Sequence, residues 1–248
     1  MQNDSFITIA AARMHPEYRE RYFQWVYEVY YPLLIKTPWL KRIDAYRILK
    51  ENSEYNRSMS IYRFENLRDL ETLYKSPEYT SLAKDRDVTF YQPGRGERFW
   101  QGTYQLLKTF TKEAADSPSE KNDKNKDIPL VHLEGYRLSP EQEENYYNWF
   151  IKRGYEAYIP LLMKLPGLQE YSWYKLIEVE LPHVMMPKDP NAHPPYLSIL
   201  HFDSLRAYEN FEKSPELAVF REGIKVPFSR GLLFKWYVQY QLTRSWRK

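Results

Sequence analysis

The sequence predicts an α+β protein made of one strand-helix-strand-strand-helix-strand unit present twice, with the two antiparallel sheets packed into a single intrachain α/β barrel. Three observations predict it. Segments of the first half return in the second in the same order. The hydrophobic period of each half switches between two and about three and a half residues. A polar stretch separates the halves.

The duplication rests on four anchors. PLLIKTPWL, Pro32 to Leu40, returns as PLLMKLPGL, Pro160 to Leu168. FENLRDLETLYKSPEY, from Phe64, returns as FDSLRAYENFEKSPEL, from Phe202, and WQGTYQLLKTF, from Trp100, returns as WYVQYQLTRSW, from Trp236. A weaker match sets Arg13 to Glu17 opposite Arg137 to Glu141. The offset between anchors changes by about four residues inside the first helix, near one helical turn. It changes again by about ten where a hairpin loop is expected, a place that tolerates insertion. Residues 1–110 therefore form the first repeat and 129–248 the second. The intervening 111–128, polar and mixed in charge, forms a flexible tether.

Within each half the elements follow in order. FITIAAAR and LVHLEGYRL are β-rich openings. Pro16 and Pro140 then stand at first helical positions, and Ser139 with Gln142 has the spacing of a capping box. Tyr18, Tyr22, Trp25, Val29 and Leu33 recur at spacings of three and four, which marks one helix face. Thr37-Pro38 and Leu165-Pro166 end these helices, and two strands follow. Leu67 to Tyr74 and Leu205 to Glu212 supply the next helices, and Ser76-Pro77 and Ser214-Pro215 restart them by N-capping. Closing strands pass through Tyr104 and Tyr240. Each half is thus a ferredoxin-like βαββαβ unit, whose bare sheet face must be buried.

The chain resembles the dimeric α/β-barrel superfamily, which includes antibiotic-biosynthesis monooxygenases, EthD-like and NIPSNAP-like proteins. The resemblance rests on the element order and on the PLL-K-PGL and FDSLRA segments. It implies an intramolecular version of a pairing that such proteins commonly make between two chains. It leaves the chemistry open, because cofactor-free oxygenases, isomerases and haem proteins share the fold.

Composition removes several function classes. With no cysteine among 248 residues, disulfides, thiolate metal sites and a cysteine nucleophile are excluded. A net charge of +3, spread along the chain, lacks the basic stripe that nucleic acid requires. No membrane-length apolar run and no basic leader occur, which favours a soluble cytoplasmic protein, monomeric or homodimeric. Nucleotide loops, nucleophile elbows and zinc motifs are absent from the sequence.

Strand alternation, with the more apolar face given to the helices, sorts the candidate site. Val131 and Leu133 then face helices, leaving His132 and Glu134 inward; Leu200 and Phe202 face helices, leaving His201 inward. His132, Glu134 and His201 form the candidate catalytic group, a proton relay of imidazole and carboxylate. Arg63, Gln105, Gln239, Gln241 and Tyr237 are the candidate ligand-binding residues on the same inward face. Polar residues so placed also serve by hydrogen-bonding across a wet barrel. Pro-rich residues 181–195, with Met185, Met186, His183 and His193, could form a lid.

These features favour a chain that binds, and could transform, a small apolar or aromatic molecule without a tightly bound cofactor. Two alternatives stand beside it: a haem protein of chlorite-dismutase-like architecture, and a non-catalytic interaction protein. The resemblance places a haem ligand on a helix of the second half, and neither predicted helix there contains histidine. A divalent metal held by two histidines and a carboxylate is a further option.

Overall fold

The computed structural model describes residues 5–49, 58–112, 128–177, 193–228 and 232–248. The proposed lid at 181–195 falls outside them except for its last three residues, and most of the 111–128 tether falls outside them too. The chain forms two compact units, residues 1–106, 176–193 and 242–248, and residues 107–175 and 194–241.

In the first repeat β1 (Phe6–Met14) leads into α1 (Pro16–Trp25), a π-helical segment Val26–Tyr30, and α2 (Tyr31–Leu34). Strands β2 (Arg42–Ile48) and β3 (Ser58–Phe64), helices α3 (Leu67–Lys75) and α4 (Pro77–Thr89), and β4 (Gly96–Thr111) complete it. The strands pair antiparallel in the order β2-β3-β1-β4.

The second repeat copies the plan. Strand β5 (Leu130–Leu138) precedes α5 (Pro140–Trp149), a π-helical segment Phe150–Tyr158, α6 (Ile159–Leu162), β6 (Leu168–Leu176) and β7 (Tyr196–Phe202). Then come α7 (Leu205–Glu212), α8 (Pro215–Phe228) and β8 (Leu232–Arg247), giving the order β6-β7-β5-β8. The first and third strands of each repeat are central neighbours, as the sequence predicts.

The closing strands belong to both units. In the first unit, the end of β8 is held by Thr243 Oγ1 donating to the Ala45 carbonyl at 2.8 Å and by Ser245 Oγ donating to Asp44 at 2.6 Å. In the second, the end of β4 is held by the Thr109–Ser172 hydroxyl pair at 2.8 Å and by Lys112 N–H donating to the Gln169 carbonyl at 2.9 Å.

Local chemistry sets the helix starts. The Ser76 hydroxyl accepts from Tyr79 N–H at 3.2 Å, Ser214 from Leu217 at 3.2 Å, and Asn66 Oδ1 from Asp69 at 2.8 Å. Each satisfies an amide that the first turn leaves without a partner. The expected capping box at Ser139 does not form: its side chain caps nothing, and Gln142 N–H donates instead to the Ser139 carbonyl at 2.9 Å.

The long helix face also departs from the expected stripe. Val29 and Leu33 are 39% and 45% exposed, whereas Val26, Tyr30 and Leu34 are buried. The cause is the π-helical segment, whose wider turns shift the buried stripe past the α-helical register. The corresponding segment in the second repeat has nine residues against five. The four-residue offset between the repeats is therefore absorbed in this segment.

Over the first sheet, Val26, Tyr30 and Leu34 pack with Ile43, Phe64, Leu70, Leu73, Ala83 and Phe90. Over the second, Trp173 is fully buried, its ring centroid 4.3 Å from Phe150 and 5.4 Å from Tyr196. Such aromatic packing absorbs rings that would otherwise be exposed.

Gly167 ends the PGL turn with φ +81°, and a Cβ there would lie 2.2 Å from the Ala207 Cβ. Gly94, with φ +79°, has no atom within 4 Å of such a Cβ. Gly94→Ala is expected to cost about 1 kcal/mol, the backbone penalty alone. Gly167→Ala adds a clash with fixed atoms and should cost several-fold more, read as a shift in urea midpoint; equal shifts would refute the steric account.

Candidate functional site

The register of β5 reverses the expected assignment of its faces. His132 is directly opposite Leu200 and Gln239, and Val131 is opposite His201 and Tyr240. Residues opposite one another share a face. The His132 ring stacks on Tyr208 of α7 at 5.3 Å, and Tyr136 meets Tyr146 of α5 at 6.0 Å. His132, Glu134 and Tyr136 therefore face the helices, and Val131 and Leu133 the opposite side. The expectation for Leu200 and Phe202 holds, with Phe202 packed 5.0 Å from Phe211 of α7.

His132 and Glu134 do come together. His132 is 1% exposed, and its Nε2 lies 3.1 Å from Glu134 Oε1. The other Glu134 oxygen accepts from the Tyr136 hydroxyl at 2.6 Å, and Gln239 Nε2 stands 3.0 Å from His132 Nδ1. A side-chain amide nitrogen can only donate, so Nδ1 is the acceptor and Nε2 carries the proton to the carboxylate. This is a buried chain from Tyr136 through Glu134 and His132 to Gln239. Its basic atom is Nδ1.

His201 does not join it. It faces away from His132 and lies 3.7 Å from Glu170 Oε1, partly exposed. The expected three-residue convergence fails because His201 pairs in register with Val131 rather than with His132.

The candidate ligand-binding residues separate as well. Gln239 and Gln241 lie on the helix-facing side with His132, half-buried. Tyr237 shares that side but is 58% exposed, its ring 6.0 Å from His132, and Gln105 is exposed. They do not line an interior.

Arg63 is buried on the face opposite the helices, its Nε 3.3 Å from Asp44 Oδ2. Arg42 Nε is 2.7 Å from Asp44 Oδ1, which also accepts from Ser245. Burial pushes the Asp44 pKa up, but Arg63, Arg42 and the Ser245 hydroxyl outweigh it and hold the carboxyl below the usual range. Arg63 thus anchors the end of β8 to β2 and β3.

Sequence reasoning missed a cavity of about 30 Å³ between the first sheet and its helices, bordered by Ala10, Ala12, Ser60, Tyr30, Tyr74 and Tyr91, with Arg86, Arg98 and Gln101. Burial, above all, raises the pKa values of Tyr22, Tyr30, Tyr31, Tyr62 and Tyr74, which stay neutral. A signal existed in the repeats. Thr8, Ala10 and Ala12 stand where the second repeat has His132, Glu134 and Tyr136, so smaller residues leave space.

The second repeat does not fit a haem. Its helices contain no histidine, and Trp173, Phe150, Tyr146 and Tyr196 fill the space over the sheet. Among the described residues no group of three His, Asp or Glu side chains is placed to hold a metal ion. Nor is any described helix long and apolar enough to cross a membrane.

No protein-family model and no curated protein sequence matches the chain. Solved structures do. A proposed monooxygenase from Fusobacterium nucleatum is similar with a TM-score of 0.63 at 9% identity, over 98% of this chain and 95% of that one. An anthrone oxidase-like protein gives 0.59 at 11% identity, over 99% and 94%. A chlorite dismutase variant from Candidatus Nitrospira defluvii gives 0.57 at 11%, over 98% and 93%. The chain shares the ferredoxin-like α+β fold of these structures.

Asp44→Ala leaves Arg63 and Arg42 without their carboxylate and is expected to cost about 3 kcal/mol or more in urea unfolding at neutral pH. Because the folded pKa lies below the unfolded one, this stability is present above the ordinary value of about 3.9 and is lost as pH falls through and below it. Asp44→Asn should flatten the stability profile between roughly pH 5 and pH 2. An unchanged acid slope would show that the ion pair contributes nothing.

Proposed function

We propose that the chain binds and oxidises a small aromatic molecule with an acidic C–H or O–H, using no tightly bound cofactor, with His132 as general base. The observation that carries this reading is the hydrogen-bonded pair His132 and Glu134. A carboxylate that holds the N–H of an imidazole fixes its tautomer and stabilises the imidazolium formed on proton uptake. Nδ1 is then the basic atom, and the substrate proton takes the place of the Gln239 amide. Tyr208 and the exposed Tyr237 flank the imidazole and offer flat faces for an aromatic ring.

The likeness in fold to an anthrone oxidase-like protein and a proposed monooxygenase favours oxygen as co-substrate. An anthrone is an apt probe: loss of a proton from its methylene carbon leaves an electron-rich phenolate that reacts with dioxygen directly. The balanced outcome is one anthrone and one O₂ to one anthraquinone and one water. His201 and Arg63 take no part in this reading, since neither lies on the His132 side of its sheet.

Oxygen uptake with anthrone tests it. His132→Gln and Glu134→Gln should each slow uptake about a hundredfold or more while the melting temperature stays close to that of the parent. Full rates in folded variants would refute the base assignment. No uptake by the parent protein would refute the oxidation.

A further inference from the structure

We propose that Tyr136 is a positioning residue for His132, its hydroxyl fixing the Glu134 carboxylate that holds the imidazole N–H. The inference rests on the reading of His132 as the general base, and it names the group that keeps this base in one orientation.

His132, Glu134 and Tyr136 alternate along β5, so all three side chains leave the same face of the strand. The carboxylate therefore stands between an imidazole and a phenol. Its Oε1 lies 3.1 Å from His132 Nε2, and its Oε2 accepts from the Tyr136 hydroxyl at 2.6 Å. One hydrogen bond alone leaves a carboxylate free to turn, because the last torsion of a glutamate is broad. A bond to each oxygen, from opposite ends of the row, fixes its plane. A fixed carboxylate keeps the proton on Nε2 and leaves Nδ1 as the basic atom.

Tyr136 is suited to this task. It is 3% exposed, and its ring meets Tyr146 of α5 at 6.0 Å, which holds the phenol in place. Burial above all, and then the charge of Glu134, pushes its pKa well above the ordinary value. The phenol thus keeps its proton and donates it to the carboxylate. Such a charge-assisted bond is strong, and it offsets part of the cost of burying Glu134, which is 6% exposed. Other phenols near Glu134 are placed differently. Tyr171 of β6 pairs with the Ser198 hydroxyl at 2.7 Å, and Tyr237, opposite Glu134 on β8, is 58% exposed.

The first repeat has Thr8, Ala10 and Ala12 at these three positions. Imidazole, carboxylate and phenol are present together in one repeat and absent together from the other, as befits groups that act as a unit. A phenol that only filled space would leave the imidazole unaffected by the loss of its hydroxyl.

Tyr136→Phe keeps the ring and removes the hydroxyl. Imidazole ¹H–¹⁵N spectra at alkaline pH, with His132 assigned by its absence from His132→Gln, should show a single Nε2–H tautomer in the parent. In Tyr136→Phe the Nε2–H signal should broaden, and the two ring nitrogens should move toward a tautomer average. With anthrone as substrate, kcat should fall about tenfold or more at little-changed KM. If Tyr136→Phe does not fold, 3-fluorotyrosine at position 136 keeps the shape and makes the hydroxyl a stronger donor. It should move the His132 Nε2–H signal upfield. A His132 spectrum unchanged in either protein, or full kcat in folded Tyr136→Phe, would overturn the assignment. The spectrum reads the positioning whether or not the parent oxidises anthrone, so failure of the oxidation and failure of the positioning give different results.

Discussion

Burial of both faces of each sheet is the constraint on which the rest of the structure depends. In β3 every residue after Ser58 is buried, and in β5 every residue but Arg137. A strand with one wet face must put its polar residues there, and alternation then reveals its orientation. A strand with two dry faces has no such obligation. It must instead give every polar side chain a partner, wherever that side chain points.

The two repeats meet this requirement differently on their helix-facing sides. The second fills the space with large groups, and His132, Glu134, Tyr136 and Gln239 satisfy one another in a single chain of hydrogen bonds. The first places small residues on β1 and lets tyrosines from the helices reach inward beside two arginines. One architecture thus carries a buried chain of hydrogen bonds in one repeat and a cavity bordered by two arginines in the other. On the opposite face of the first sheet, Asp44 resolves its burial by collecting Arg42, Arg63 and Ser245, which secures the last residues of the chain.

The π-helical segments act on the same layers. Corresponding helices that differ by four residues would present different faces to their sheets if both were regular α-helices. Placing the difference within a wider helical segment lets Leu34 and Leu162, and Tyr22 and Tyr146, occupy matching buried positions in the two repeats.

By itself the sequence determined the order of elements in each half and the helix starts at Ser76 and Ser214. These depend on local signals: proline and serine at turns, and the periods of apolar residues. It also brought His132 and Glu134 together, because residues two apart on a strand share a face in any register. Only the tertiary structure decided which face that was, that His201 lies on the other one, and that Gln105 and Tyr237 are exposed. Face and register are settled by what covers each side of the sheet, and β5 is apolar enough on both sides to hide its orientation. The Arg86 and Arg98 cavity was out of reach for a related reason. It is made from α4, β4 and the alanines of β1, which are distant in sequence and meet only when the helices close over the sheet.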